Sequence, residues 1–247
     1  MRTIIIYTLA ILLVQLGRSQ SFYVGSGGII SINSGNVLYI DNNATIDASG
    51  TITVKSSATT SASLLVTGSA TGNIAYKRHI KDTDWHLVAA PVSSQSINDF
   101  VTDTSNSINT SGAMYAVATY NNSNTSSNRW EYYTNAPGAG NFVNGKGYST
   151  NRTAIGDYTF EGAMPNSDVS VSLTTSSGSF YWSALGNPFP SFLPANSGAK
   201  ANNILDQNSS VLDPSYTALY FWNGVTPINL LTMQVLHYRL LPDRVLW

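Results

Sequence analysis

Between Phe22 and Tyr76 apolar residues recur in pairs two positions apart: Ile30/Ile32, Leu38/Ile40, Ile46/Ala48, Ile52/Val54, Leu64/Val66 and Ile74/Tyr76. Gly, Asn, Ser and Thr dominate the stretches between them. A two-residue period places both members of a pair on one face of an extended strand. Each piece is too short for a helix and carries a single narrow stripe. Such stripes are buried when like rungs stack on one another, which predicts a short β-solenoid-like segment over residues 20–76. A meander of antiparallel hairpins is the competing arrangement.

The pattern changes at residues 77–84, where five of eight residues are charged after the charge-free stretch from Ser56 to Tyr76. This reads as a junction. Beyond it lie longer β-prone runs: Trp85 to Ala90, Met114 to Tyr120, Trp130 to Tyr133, Tyr158 to Glu161, Val169 to Leu173, Phe180 to Leu185 and Leu219 to Trp222. With Asn-Gly turns at 144–145 and 223–224, they predict an antiparallel β-sandwich over residues 85–225. Ser96 to Ser107 and Ala199 to Leu205 are each expected to hold a short helix outside the core. The fold class is therefore all-β.

The two ends differ from the body. Met1-Arg2-Thr3 precedes an apolar run from Ile4 to Leu16 and small residues at Gly17 and Ser19. That is the layout of a secretory signal peptide over residues 1–19, cleaved between Ser19 and Gln20. Some 13 apolar residues fall short of the roughly 20 needed to span a bilayer, so the mature chain is expected not to cross a membrane. Localisation is expected to be extracellular, on the outer surface or in the periplasm. The tail, residues 226–247, is aliphatic and basic, with little Ser, Asn or Gly. It reads either as an amphipathic helix docked on the sandwich or as a frameshift after Trp222. A frameshift would make the product truncated and leave the strand ending at Trp222 unpaired at one edge.

The 247 residues include 12 basic and 13 acidic ones and no cysteine. Absence of Cys removes disulfides, thiol nucleophiles and thiolate metal sites. A balance so near neutral lacks the basic footprint of a nucleic-acid binder. Solubility rests on hydroxyls and amides.

Four stretches carry a resemblance: Trp85 to Val92, Gly145-Lys146-Gly147-Tyr148, Tyr158 to Gly162, and Leu185-Gly186-Asn187-Pro188-Phe189-Pro190-Ser191. In their order the chain resembles a family of secreted Bacteroidota surface proteins of the kind exported by the type IX secretion system. In those proteins a solenoid-like segment precedes a β-sandwich and a sorting domain often follows. The resemblance implies export and a structural or adhesive role. The sequence departs from that pattern after Trp222, where the sorting domain is lacking.

Few residues offer chemistry. Glu131 and Glu161 are the two glutamates, and glycoside hydrolysis would need them across one cleft. Asp82, Asp84 and His86 would share a face if they lay on a strand, as an oxygen and nitrogen ligand set; the alternative is a solvated junction. Trp130, Tyr132 and Tyr133 follow an Asn- and Ser-rich stretch and are candidate glycan contacts, since aromatic faces stack on sugar rings. The alternative turns Trp130 and Tyr132 inward as core and Tyr133 outward. Gly145-Lys146-Gly147 lacks the spacing of a phosphate loop. Asn43, Asn109 and Asn151 match the N-glycosylation acceptor and are read as incidental. No catalytic, cofactor or metal site is assigned. The expected function is a non-enzymatic structural or adhesive surface protein with a glycan or cell-surface partner; the alternatives are a carbohydrate-binding module and a glycoside hydrolase fragment.

Overall fold

The computed structural model describes residues 21–47, 49–124, 129–134, 138–173, 182–215, 218–222, 227–232, 239–240 and 245–246. The segment expected to be a signal peptide, with Ser19 and Gln20, lies outside the described residues.

Eight strands form the first half: β1 (Phe22–Val24), β2 (Ile29–Ile32), β3 (Val37–Ile40), β4 (Ala44–Ile46), β5 (Thr51–Lys55), β6 (Ser63–Val66), β7 (Ala70–Thr71) and β8 (Asn73–Ile80). They pair in parallel in three columns, β1-β4-β7, β2-β5-β8 and β3-β6, so the chain circulates from column to column and returns one rung higher. Parallel pairing excludes the hairpin meander for this segment. The period-2 pairs are the reason for the register. Ile30 stacks on Ile52 and Ile52 on Ile74, while Ile32 stacks on Val54 and Val54 on Tyr76. Leu38 meets Leu64, and Ile40 meets Val66. Corners are tied by side chains, as in Tyr23 Oη donating to Asp47 at 2.7 Å and Ser69 N donating to Asn43 Oδ1 at 2.8 Å. At one corner Gly72 has φ +88°, and an added Cβ would stand 2.1 Å from the Ile46 carbonyl oxygen. Only glycine fits there.

The second half is antiparallel. Strands β9 (His86–Val88), β10 (Thr110–Ser111), β11 (Met114–Tyr120), β12 (Trp130–Thr134) and β13 (Tyr148–Thr150) make a five-stranded sheet ordered β10-β11-β13-β9, with β12 also on β11. The next strand, β14 (Gly156–Ala163), leaves that sheet and pairs along the whole of β8, from Ile80↔Gly156 to Asn73↔Ala163. Lys77 to Ile80, half of the charged stretch at 77–84, are therefore strand residues. One strand thus serves both as the last rung of the coil and as a sheet partner for the second half.

An aromatic layer fills the space between the two sheets. Phe160 on β14 stacks on Phe100 at 4.8 Å and meets Phe142 edge-on at 5.7 Å; Phe142 in turn meets Tyr148 of β13 at 4.8 Å. Phe100 belongs to α1 (Ile97–Thr102), which Ser96 caps by accepting from Asp99 N. Ile97, Phe100 and Val101 of this helix are all buried. The expectation of a helix outside the core is wrong here, because a six-residue helix is too short to display a repeat, yet its i, i+3, i+4 positions still form one apolar face. A single hydrophobic cluster runs from Val24 through Val54, Tyr76 and Phe100 to Met164, across the compositional boundary.

The remainder is short. β15 (Leu185–Gly186) and β16 (Leu193–Pro194) precede α2 (Ile204–Gln207), whose Leu205 is buried with Ala195 and Leu219. β17 (Ala218–Trp222) pairs antiparallel with β18 (Pro227–Thr232), while β19 (Arg239–Leu240) and β20 (Val245–Leu246) pair with β16 and β15. The tail thus supplies strands, and the edge expected to stay open after Trp222 carries a partner. Val169 to Leu173 is not a strand, contrary to its alternating pattern. Asn187 fixes the following loop, donating to Ser191 O at 2.7 Å and accepting from Phe189 N at 3.0 Å, and Pro190 O accepts from Leu64 N of the coil at 2.8 Å.

Candidate functional site

The pairing of the five-stranded sheet sorts its side chains by face. Val88, Tyr148, Val117 and Tyr133 look toward the aromatic layer, and Leu87, Ala118, Tyr120, Trp130 and Tyr132 look away from it. This reverses the inward and outward assignment expected for Trp130, Tyr132 and Tyr133. Tyr133 packs on the main core, and burial raises its pKa. Burial pushes that of Tyr148, whose hydroxyl accepts from Val143 N at 2.9 Å, up to about 12. The reversal arises because strict alternation decides only which residues share a face. The partner strand decides which face is covered.

On the outer face the aromatics form edge-on pairs. Tyr120 and Trp130, directly opposite across β11 and β12, lie 5.2 Å apart, and Trp85 and Tyr132 lie 5.7 Å apart. Trp130 also packs beside Ala89 and Ala184, while Trp85 is 40% exposed. At the end of this sheet, between the β11–β12 turn and residues 183–185, opens a cleft of about 280 Å³. Tyr120, Asn121, Glu131, Lys146, Ser172 and Ser183 are among its lining residues. Asn121 is held by its own turn, its Oδ1 accepting from Ser123 N at 3.0 Å, and its amide donates to Glu131 Oε1 at 2.7 Å.

Glu161 is exposed on β14, opposite Ala75 of β8, and does not line this cleft. The structure therefore does not bring the two glutamates together as an acid and nucleophile pair. Asp82 and Asp84 lie in a bend before β9, not on a strand, so the shared ligand face with His86 does not form. Instead Asp82 Oδ1 meets His86 Nε2 at 2.7 Å and accepts from Asp84 N at 3.1 Å. Burial works to raise the Asp82 pKa, but the Asp84 amide and His86 outweigh it and hold the carboxyl below its ordinary value. Among the described residues no group of three His, Cys, Asp or Glu side chains could hold a metal ion.

Residues to which the sequence analysis gave no role in the fold form a polar network. Arg152 is 3% exposed. It donates to the carbonyls of Ala154 at 2.9 Å, Ser105 at 3.3 Å and Asp157, and lies 4.9 Å from the Tyr158 ring centre. Beside it, His79 Nδ1 and Asp157 Oδ1 meet at 2.9 Å across β8 and β14. Asn106 ties the turn after α1 to β14 by donating to Phe100 O and accepting from Thr159 N. Asn109 and Asn151, two of the glycosylation matches, hydrogen-bond to each other at 2.9 Å, and Asn151 donates to Thr83 O at 2.6 Å. These amides hold the fold together. Charged and amide residues such as Arg152, Asn106 and Asn151, buried outside any apolar period, leave no mark in the pattern, which is why only the tertiary contacts expose them.

A family model described as Domain of unknown function (DUF8693) matches residues 4–238, and the chain belongs to that family. The matched span includes the first part of the tail. No curated protein and no solved structure matches the chain.

Proposed function

We propose that this is an exported, non-enzymatic structural or adhesive module of the cell surface, in which the parallel coil acts as a spacer and the outer face of the five-stranded sheet makes contact. The observation that carries the reading is that outer face, where Tyr120 pairs with Trp130 and Trp85 with Tyr132, and where Tyr120 also lines the cleft. The apolar run at Ile4 to Leu16 supports export, with cleavage before Gln20. The resemblance to type IX-exported surface proteins supports the location. Two measurements test it. Mass spectrometry of the exported chain is expected to give an N-terminus at Gln20; retention of Ile4 to Leu16 would replace a released module with an anchored one. A screen of the mature chain against polysaccharides is expected to show no turnover. Turnover abolished by Glu131→Gln or Glu161→Gln would sink the non-enzymatic reading.

The second reading is a carbohydrate-binding module, favoured by the same aromatic pairs, since rings offered beside hydrogen-bonding side chains are what sugar recognition uses. On a glycan array it is expected to give retention that Trp130→Phe weakens while the melting temperature holds.

A further inference from the structure

The cleft at the end of the five-stranded sheet contains two opposite charges that form no ion pair with each other. Glu131 is engaged by the Asn121 amide through one carboxylate oxygen, its other oxygen has no hydrogen-bond partner among the described residues, and Lys146 makes no ion pair among them. Both line the same space, with Tyr120 from the aromatic pair and the hydroxyls of Ser172 and Ser183. At about 280 Å³ the cleft sits near the lower end of small-molecule sites, roughly 300–1,000 Å³. It has room for a single ring rather than a long chain.

We infer that this cleft is a binding subsite for one neutral hexose residue of a polysaccharide, with Glu131 accepting from sugar hydroxyls, Lys146 donating to a hydroxyl or ring oxygen, and Tyr120 supplying the apolar contact. The inference rests on the carbohydrate-binding reading and deepens it. Hydroxyl groups satisfy an acceptor and a donor at once, so a polyol can bridge a carboxylate and an ammonium that do not reach each other. Opposite charges within one small space cancel as seen by an ion. A uronate that gained Lys146 would also meet Glu131, which disfavours acidic sugars. Asn121 keeps the carboxylate in place before the ligand arrives, which lowers the ordering cost of binding.

Isothermal titration of the mature chain with cellohexaose, laminarihexaose and mannohexaose, with polygalacturonate as the acidic contrast, tests the assignment. At least one neutral hexaose is expected to bind. Glu131→Gln and Lys146→Met are each expected to weaken that binding at least tenfold with an unchanged melting temperature, both positions being partly or fully exposed. Binding that falls on Trp130→Phe but ignores both cleft variants would overturn the subsite while leaving the aromatic face as the sugar contact. Tighter binding of polygalacturonate that depends on Lys146 would overturn the neutral class. Failure of every saccharide to bind would overturn the subsite and the carbohydrate reading together.

Discussion

At the scale of single residues, Phe160 and Asp82 show two different ways of holding the same fold. Phe160 is fully buried and touches Phe100, Phe142 and Tyr158 within one aromatic layer. Phe160→Ala removes a large apolar surface and leaves a cavity that rigid neighbours cannot close. Denaturant unfolding is expected to show a loss of about 3–5 kcal/mol. Asp82 contributes through charge. Its folded pKa is depressed below the ordinary carboxylate value of about 3.9, so the stabilisation is complete above that pH and is lost as pH falls through the folded value. The difference in melting temperature between the wild type and Asp82→Asn is therefore expected to shrink as the pH falls below that ordinary carboxylate value. The difference is small because the carboxylate is partly exposed and water screens it. A difference that instead grew below pH 4 would show that the contacts with His86 and the Asp84 amide do not favour the ionised form.

Among the elements, the parallel coil is the one whose period could be read directly. Ile52 and Ile74, or Val54 and Tyr76, are legible because a period of two survives in every rung. Its tightest corner depends on Gly72. Gly72→Ala would force both a positive φ and a collision with the Ile46 carbonyl; the backbone conformation alone costs about 1–3 kcal/mol. Thermal unfolding followed by circular dichroism is expected to shift down for Gly72→Ala. Gly35→Ala, with similar φ but open space around it, is expected to shift less. Helix α1 is the opposite case. Its apolar face is only three residues, Ile97, Phe100 and Val101, and nothing local reveals that Phe142 and Phe160 await it.

At the scale of the whole molecule, the coil and the antiparallel part are joined through β8, which accepts β5 in parallel on one side and β14 antiparallel on the other. Since the hydrophobic cluster also runs unbroken from Val24 to Met164, neither half has a core of its own to fall back on. Calorimetry of the chain from Gln20 onward is expected to give one transition for the coil and the antiparallel part. A fragment ending at Tyr76 is expected to be unfolded, having lost the β14 partner and the aromatic layer. Two well-separated transitions, or a folded 20–76 fragment, would contradict this.

What the sequence alone determined is the local geometry: strands by their two-residue period, corners by Gly, Asn and Ser, and an all-β class by the lack of any long 3.6-residue repeat. These depend on neighbours within a few positions, so the chain carries them openly. Only the tertiary structure decided which face of β12 is covered, why α1 belongs to the core, how the tail strands find β15, β16 and β17, and that Glu131 shares a cleft with Lys146 and not with Glu161. Each of those depends on residues far apart in the chain meeting in space. Alternation along one strand carries no information about what another strand brings to it.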